Sequence, residues 1–126
     1  MIRGVVTDEL EGWIDLAIVG KDQSAIGFSA VIDTGFSGYL TLPPAVIERF
    51  GGKQVGTANV YLADGSKSIS DIFELTILWN GQSLVIEVDS AEIEPLVGMA
   101  LLAGHDLQMR VIPNGEVTIR SVLKDT

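Results

Sequence analysis

Short runs in which apolar and polar residues alternate, each closed by a turn signal, fill most of this chain and leave little room for helix. Trp13, Asp15, Ala17 and Val19 alternate with Ile14, Leu16 and Ile18 up to Gly20-Lys21-Asp22, the period of two that belongs to a half-buried strand. Residues 25–32 predict a second strand with Ile26, Phe28, Ala30 and Ile32 on one face, and residues 39–42 a third extended segment. Residues 55–62 and 68–79 form two more, joined through Ala63-Asp64-Gly65-Ser66, and Asn80-Gly81 leads into a strand in which Leu84, Ile86 and Val88 alternate with Val85 and Glu87. Asp-Gly and Asn-Gly pairs suit tight hairpins, whose central residues require positive φ. A last hairpin over residues 107–112 and 116–122 is expected about Asn114-Gly115. Two short helices complete the pattern. Pro44 opens one that runs through Phe50 to Gly51-Gly52, and Met99 to Ala103, enclosed by Gly98 and Gly104, has the length for one or two turns.

Helices this few cannot cover the faces of an open sheet, so the pattern predicts an all-β fold, a closed or partly closed β-barrel with one or two short helices. At 126 residues the chain has the length of a single domain spanning residues 1–126.

Charge and composition exclude several functions. Seventeen acidic residues against eight basic ones give a net charge of -9, which repels nucleic acid backbones and anionic membranes. There is no cysteine, hence no disulfide framework and no thiolate zinc site. Met1-Ile2-Arg3-Gly4 runs directly into Asp8, Glu9 and Glu11 without the basic and apolar regions of a signal peptide. Every apolar stretch is broken by charge or glycine well before the roughly 18 residues of a membrane span. The expected setting is the cytoplasm, with no membrane and no nucleic acid as partner.

Chemistry is concentrated in Val31-Ile32-Asp33-Thr34-Gly35-Phe36-Ser37-Gly38, an acidic turn set directly after a strand. A carboxylate buried at such a turn is costly unless it is satisfied or used. As a turn residue Asp33 has a plain structural role, since Asp accepts hydrogen bonds from its own turn. Two aspartates held a few ångströms apart do more. They share a proton, one serving as general base toward water and the other as acid toward a carbonyl. The Asp-Thr-Gly tripeptide occurs once, so the second carboxylate must come from a second copy across a two-fold axis.

With its apolar lead-in and the following Tyr39-Leu40, this stretch resembles the catalytic loop of the retroviral-type, retropepsin-like aspartic proteases, in particular their small members with one domain per subunit. The resemblance spans most of the chain. It implies an acid-protease-like barrel active as a symmetric homodimer, with Asp33 as the catalytic aspartate, Thr34 bonding across the dimer axis and Gly35 flanking the carboxylate. Leu96-Val97-Gly98-Met99-Ala100-Leu101-Leu102 is similar to the segment that leads into the family's C-terminal helix, which makes Gly98 a support of the catalytic loop. Between the two, Leu62-Ala63-Asp64-Gly65-Ser66 falls where the family carries its flap, giving Tyr61, Ala63, Asp64, Gly65 and Ser66 as flap or substrate-binding residues. Two positions depart from the pattern. Met99 stands where retroviral members commonly have an arginine, which removes an ion pair between loops, and Phe36 replaces a frequent alanine and is expected to narrow the site.

The implied activity is hydrolysis of peptide bonds on the acidic side of neutrality, with no metal and no other cofactor and with a peptide or protein as substrate. An alternative is a catalytically inactive homodimer of the same fold that binds peptide segments or acts as an assembly module. A third reading is an unrelated β-barrel binding protein in which Asp33 only shapes a turn. His105 is the sole histidine, too little for a metal site, and Ser37 lacks the Gly-x-Ser-x-Gly elbow of a hydrolase nucleophile. Asp89, Glu92 and Glu94 are expected to form a solvated acidic loop.

Overall fold

The structure, a computed structural model, describes residues 1–61 and 63–122. Among these, ten strands and two short helices follow in the order β1 (Ile2–Val6), β2 (Gly12–Val19), β3 (Ala25–Ile32), β4 (Leu40–Leu42), α1 (Pro44–Arg49), β5 (Lys53–Tyr61), β6 (Lys67–Trp79), β7 (Gln82–Ser90), β8 (Leu96–Val97), α2 (Met99–Leu102), β9 (His105–Met109) and β10 (Glu116–Ser121). Strands β6, β7, β4, β8, β3 and β2 neighbour one another in turn, and pairing of residues 17–19 of β2 with residues 76–78 of β6 closes them into a ring. Outside it, β1, β10 and β9 extend from β2, and β5 flanks β6. The expected barrel is thus a ring of strands with two attached wings rather than a clean closed barrel.

Burial follows the alternation in β2, whereas in β3 Ile26, expected on the inner face, is exposed and Ala30, Val31 and Ile32 are buried one after another as the strand enters the ring. Ile14 and Ile18 of β2 meet Leu40, Ile77, Val88 and Val97 inside the ring, all essentially inaccessible, and each side chain so buried contributes about 1.5–3 kcal/mol. Thr41 is the buried polar residue of this region, and its hydroxyl accepts the Leu96 N–H at 2.9 Å. That bond ties β4 to the start of β8. At the β6–β7 turn Asn80 and Gly81 have φ of 53° and 84°, the pair of positive values that a two-residue hairpin requires.

Parallel pairing is the largest departure from the hairpin pattern. β8 lies between β3, to which it is parallel, and β4, to which it is antiparallel, while β4 is parallel to β7. Alternation tells a strand which face to bury, not which distant strand to join. β1 is also new, because Arg3 and Gly4 interrupt its alternation, yet it sits between β10 and β2. β9 starts and ends earlier than expected, at His105 and Met109, leaving residues 110–115 as a loop. The cause lies in β1: Val6 N–H donates to the Gly115 carbonyl and Asn114 N–H to the Val6 carbonyl, both at 2.8 Å. The acidic stretch is divided, with Asp89 inside β7 rather than in the following loop. Leu62, expected at the end of β5, lies outside the described residues.

The turn from β1 to β2 closes through Leu10 N–H to the Thr7 carbonyl at 3.0 Å and Thr7 N–H to the Glu11 carbonyl at 2.9 Å. This places Leu10 at φ 61°, a left-handed backbone that costs a residue with a Cβ about 1 kcal/mol.

Candidate active site

β3 delivers Asp33 to the end of the ring, where the chain must turn back into β4 around the short β8. Such a loop is held only if the backbone groups on both of its flanks have partners, and here they do. Asp33 N–H donates to the Val97 carbonyl at 2.9 Å and Phe36 N–H to the Asp33 carbonyl at 3.1 Å. From the other side, Gly98 N–H donates to Tyr39, Met99 N–H to Phe36 and Ala100 N–H to Gly38 carbonyls, at 3.0, 2.8 and 3.1 Å. Gly35 N–H donates to Asp33 Oδ1 at 2.9 Å, which fixes the carboxylate against its own turn.

Gly98 is where the two flanks come closest. A Cβ at this position would run into the Gly38 carbonyl and stand 2.6 and 2.8 Å from Phe36 Cδ2 and the Phe36 carbonyl oxygen. Only a residue without a side chain admits this approach. The Phe36 ring also stands 2.6 Å from where a Gly38 Cβ would be. The bulky Phe36 side chain fills the space beside two glycines and braces the loop from within.

The sequence-predicted residues therefore separate into two groups. Asp33, Thr34, Gly35 and Gly98 come together. Asp33 is half-buried, Thr34 and Gly35 are exposed and Gly98 is buried, so the turn is open on one side rather than enclosed. Tyr61, Ala63, Asp64, Gly65 and Ser66 form a second group at the tip of the β5–β6 hairpin. Among the described residues, no hydrogen bond joins this tip to the Asp33 loop. The tip is organised by itself: Asp64 Oδ1 accepts from Ser66 N–H at 2.8 Å and Ser66 Oγ at 2.6 Å, and Gly65 has φ 85°. The hydroxyl bond, then the backbone bond, holds the Asp64 carboxyl below its ordinary value. Tyr61 is 74% exposed.

His105 has a structural task. Its Nε2 accepts the Trp79 indole N–H at 3.1 Å, and its Nδ1 lies 3.0 Å from the Ala103 carbonyl. Because the indole can only donate, Nε2 is the acceptor and Nδ1–H the donor to the Ala103 carbonyl. Burial, then the charge of Glu87, raises the Asp89 carboxyl above its ordinary value. Among the described residues, no three His, Asp or Glu side chains converge as a metal site would require, and no helix is long and apolar enough to cross a membrane.

Comparison with solved structures bears on the fold. The chain matches the crystal structure of a retropepsin-like aspartic protease from Rickettsia conorii with a TM-score of 0.57 and 15% identity, over 96% of this chain and 90% of that one. This chain has a retropepsin-like fold. No protein-family model matches the sequence, and no curated protein matches it either. At this identity the likeness is one of fold, so the roles of individual residues rest on the chain's own geometry. Within the retropepsin-like fold, the contributions that sequence reasoning missed are carbonyls and small residues: Val97, which receives the Asp33 N–H, and Gly38 and Tyr39, which receive those of Ala100 and Gly98. Backbone acceptors have no side-chain signature, and only the glycine content of 35–38 points to them.

Proposed function

We propose that the chain is a single-domain aspartic-type endopeptidase, active as a symmetric homodimer in which Asp33 of two subunits activates one water between them. The observation that carries this reading is the brace around Asp33: a carboxylate fixed by Gly35 N–H, on a loop strapped on both flanks, at the open end of a retropepsin-like ring. Rigid placement is what general acid–base catalysis needs, since the reacting groups must be held within hydrogen-bond reach of water and carbonyl. In the dimer one carboxylate takes a proton from water as it attacks the scissile carbonyl. The other donates its proton to the carbonyl oxygen, and the leaving amine collects a proton as the tetrahedral intermediate collapses. Thr34 braces the partner loop, Gly98 supports the Asp33 loop, and the hairpin tip with Tyr61, Ala63, Asp64, Gly65 and Ser66 closes over an extended peptide and excludes water. The reaction uses no cofactor, and its setting is the cytoplasm.

Cleavage of a peptide library by the wild type and by Asp33→Asn, across an acid-to-neutral pH series, tests the reading. Cleavage that is lost in the variant supports it, and cleavage retained by Asp33→Asn removes Asp33 from the mechanism. The second reading, an inactive homodimer that binds peptides, is favoured by the exposure of the hairpin tip and is the outcome if peptides bind without being cut.

A further inference from the structure

The chain makes two Asn-Gly turns, Asn80-Gly81 between β6 and β7 and Asn114-Gly115 between β9 and β10, and the fold treats them in opposite ways. Both asparagines are exposed and have positive φ, 53° and 65°. Gly115 is buried. Its N–H donates to the Ile112 carbonyl and its own carbonyl accepts the Val6 N–H, each at 2.8 Å, and a Cβ there would run into the Arg110 carbonyl. Gly81 is exposed, and apart from its chain neighbours no atom lies within 4 Å of where its Cβ would stand. No hydrogen bond among the described residues takes up its N–H. The turn is tied only at the Trp79–Gln82 pair that closes the ladder.

An unbonded, uncrowded N–H directly after an asparagine has a chemical consequence. The Gly81 nitrogen forms a five-membered ring with the Asn80 main-chain carbonyl carbon, Cα, Cβ and Cγ once it meets Cγ, and glycine puts no side chain in the way. Attack forms the N–Cγ bond and breaks the Cγ–Nδ2 bond. The side-chain nitrogen leaves as ammonia, carrying off the proton that the backbone nitrogen gives up. Water then opens the cyclic imide: at Cγ it yields aspartate, and at the main-chain carbonyl it yields isoaspartate, whose main chain is longer by one carbon. Asn80 Oδ1 accepts a hydrogen bond from the Met1 nitrogen at 2.7 Å, which stabilises the negative charge that gathers on this oxygen during attack. At Asn114 the same step first requires the Gly115 N–H to leave Ile112 and its carbonyl to leave Val6, a local opening of the fold.

We infer that Asn80 is a site of spontaneous deamidation and that the fold confines this reaction to the β6–β7 turn. The reaction needs neither a second subunit nor Asp33, so it stands apart from the peptidase reading. Its isoaspartate product lengthens a two-residue turn flanked by Trp79, whose indole N–H is bonded to His105. The modification thereby loosens the contact between the end of β6 and the start of β9.

Peptide mapping by mass spectrometry, on native protein sampled over weeks at mildly alkaline pH, reads the reaction at both positions. Conversion at Asn80 is expected to be at least about tenfold faster than at Asn114 in the folded chain, the scale of a local opening needed at one site only, and the two rates are expected to draw together in urea. Amide hydrogen exchange is expected to find Gly81 unprotected and Gly115 protected. The isoaspartate-bearing fraction is expected to show a lower urea midpoint than Asn80→Asp, which carries the same charge without the extra carbon. Conversion in the folded chain that is no faster at Asn80 than at Asn114 overturns the inference, as does a protected Gly81 amide. A midpoint of the isoaspartate fraction equal to that of Asn80→Asp overturns the loosening at Trp79.

Discussion

The loop around Asp33 and the hairpin tip around Asp64 are both turns with an aspartate that accepts a hydrogen bond from a residue two positions on, yet they are built on opposite principles. The first is held from outside. Its backbone is bonded to β8 and α2, and Phe36 packs against glycines on both flanks. The second is held only from inside, by Ser66 and its own ladder, with Tyr61, Asp64 and Ile69 all exposed. Local stability follows the number of external ties, so the first is rigid with the ring and the second is free to open at little cost. A hydrolase of peptides needs both, a fixed carboxylate and a movable cover.

The contrast breaks most visibly at Gly98. Gly98→Ala drives a Cβ into the Gly38 carbonyl and Phe36, and is expected to cost about 3 kcal/mol of stability by forced repacking, read as a fall in the urea midpoint; a wild-type midpoint would mean that the brace is slack. Phe36→Ala empties the space between the glycines and is expected to cost about 2 kcal/mol, less than a fully enclosed phenylalanine, with a matching loss of cleavage. His105→Ala strands the Trp79 N–H and is expected to cost about 1–2 kcal/mol. An imidazole nitrogen spectrum of the wild type is expected to show the Nδ1-protonated form, and the other tautomer would contradict the bond to Trp79.

Asp89 sharpens the comparison through pH. Its carboxyl is raised above its ordinary value by burial and by Glu87, so the protonated form is favoured in the folded chain. The associated stability is fully present below the unfolded-state value of 3.8 and is lost as pH rises through the folded-state value. Asp89→Asn is therefore expected to stabilise at neutral pH, by less than about 1 kcal/mol because solvent screens a half-buried charge, with the gain vanishing in acid. Asp64 runs the other way, its lowered value giving stability above the unfolded-state value that is lost as pH falls through the folded one. The smallest expected effect on stability is that of Tyr61→Ala, within about 0.5 kcal/mol for an exposed side chain, while cleavage is expected to fall if the tip serves as the proposed cover. An equal loss of stability and activity would make the tip part of the scaffold.

Much of this fold is legible in the chain because the signals are local. The alternation of Ile14, Leu16 and Ile18 and the Asn80-Gly81 pair announce strands and a turn without reference to anything distant, and the structure has them where they are expected. β8 and β1 are less legible. Two residues, Leu96 and Val97, carry no period, and their place between β3 and β4 is set by pairing across more than 50 residues of sequence, as Leu96 to Thr41 shows. The same limit applies to the candidate site. The Asp-Thr-Gly tripeptide names Asp33 as the residue to watch, but the openness of the turn and the brace from Phe36 exist only in three dimensions.

Mixing wild type with Asp33→Asn at rising ratios and following peptide cleavage tests the shared site most directly. If each site draws one Asp33 from each of two subunits, the variant sequesters wild-type chains in mixed dimers, and activity at constant total protein falls as the square of the wild-type fraction. Activity that falls only in proportion to the wild-type fraction would mean that each chain acts alone, and would contradict the account.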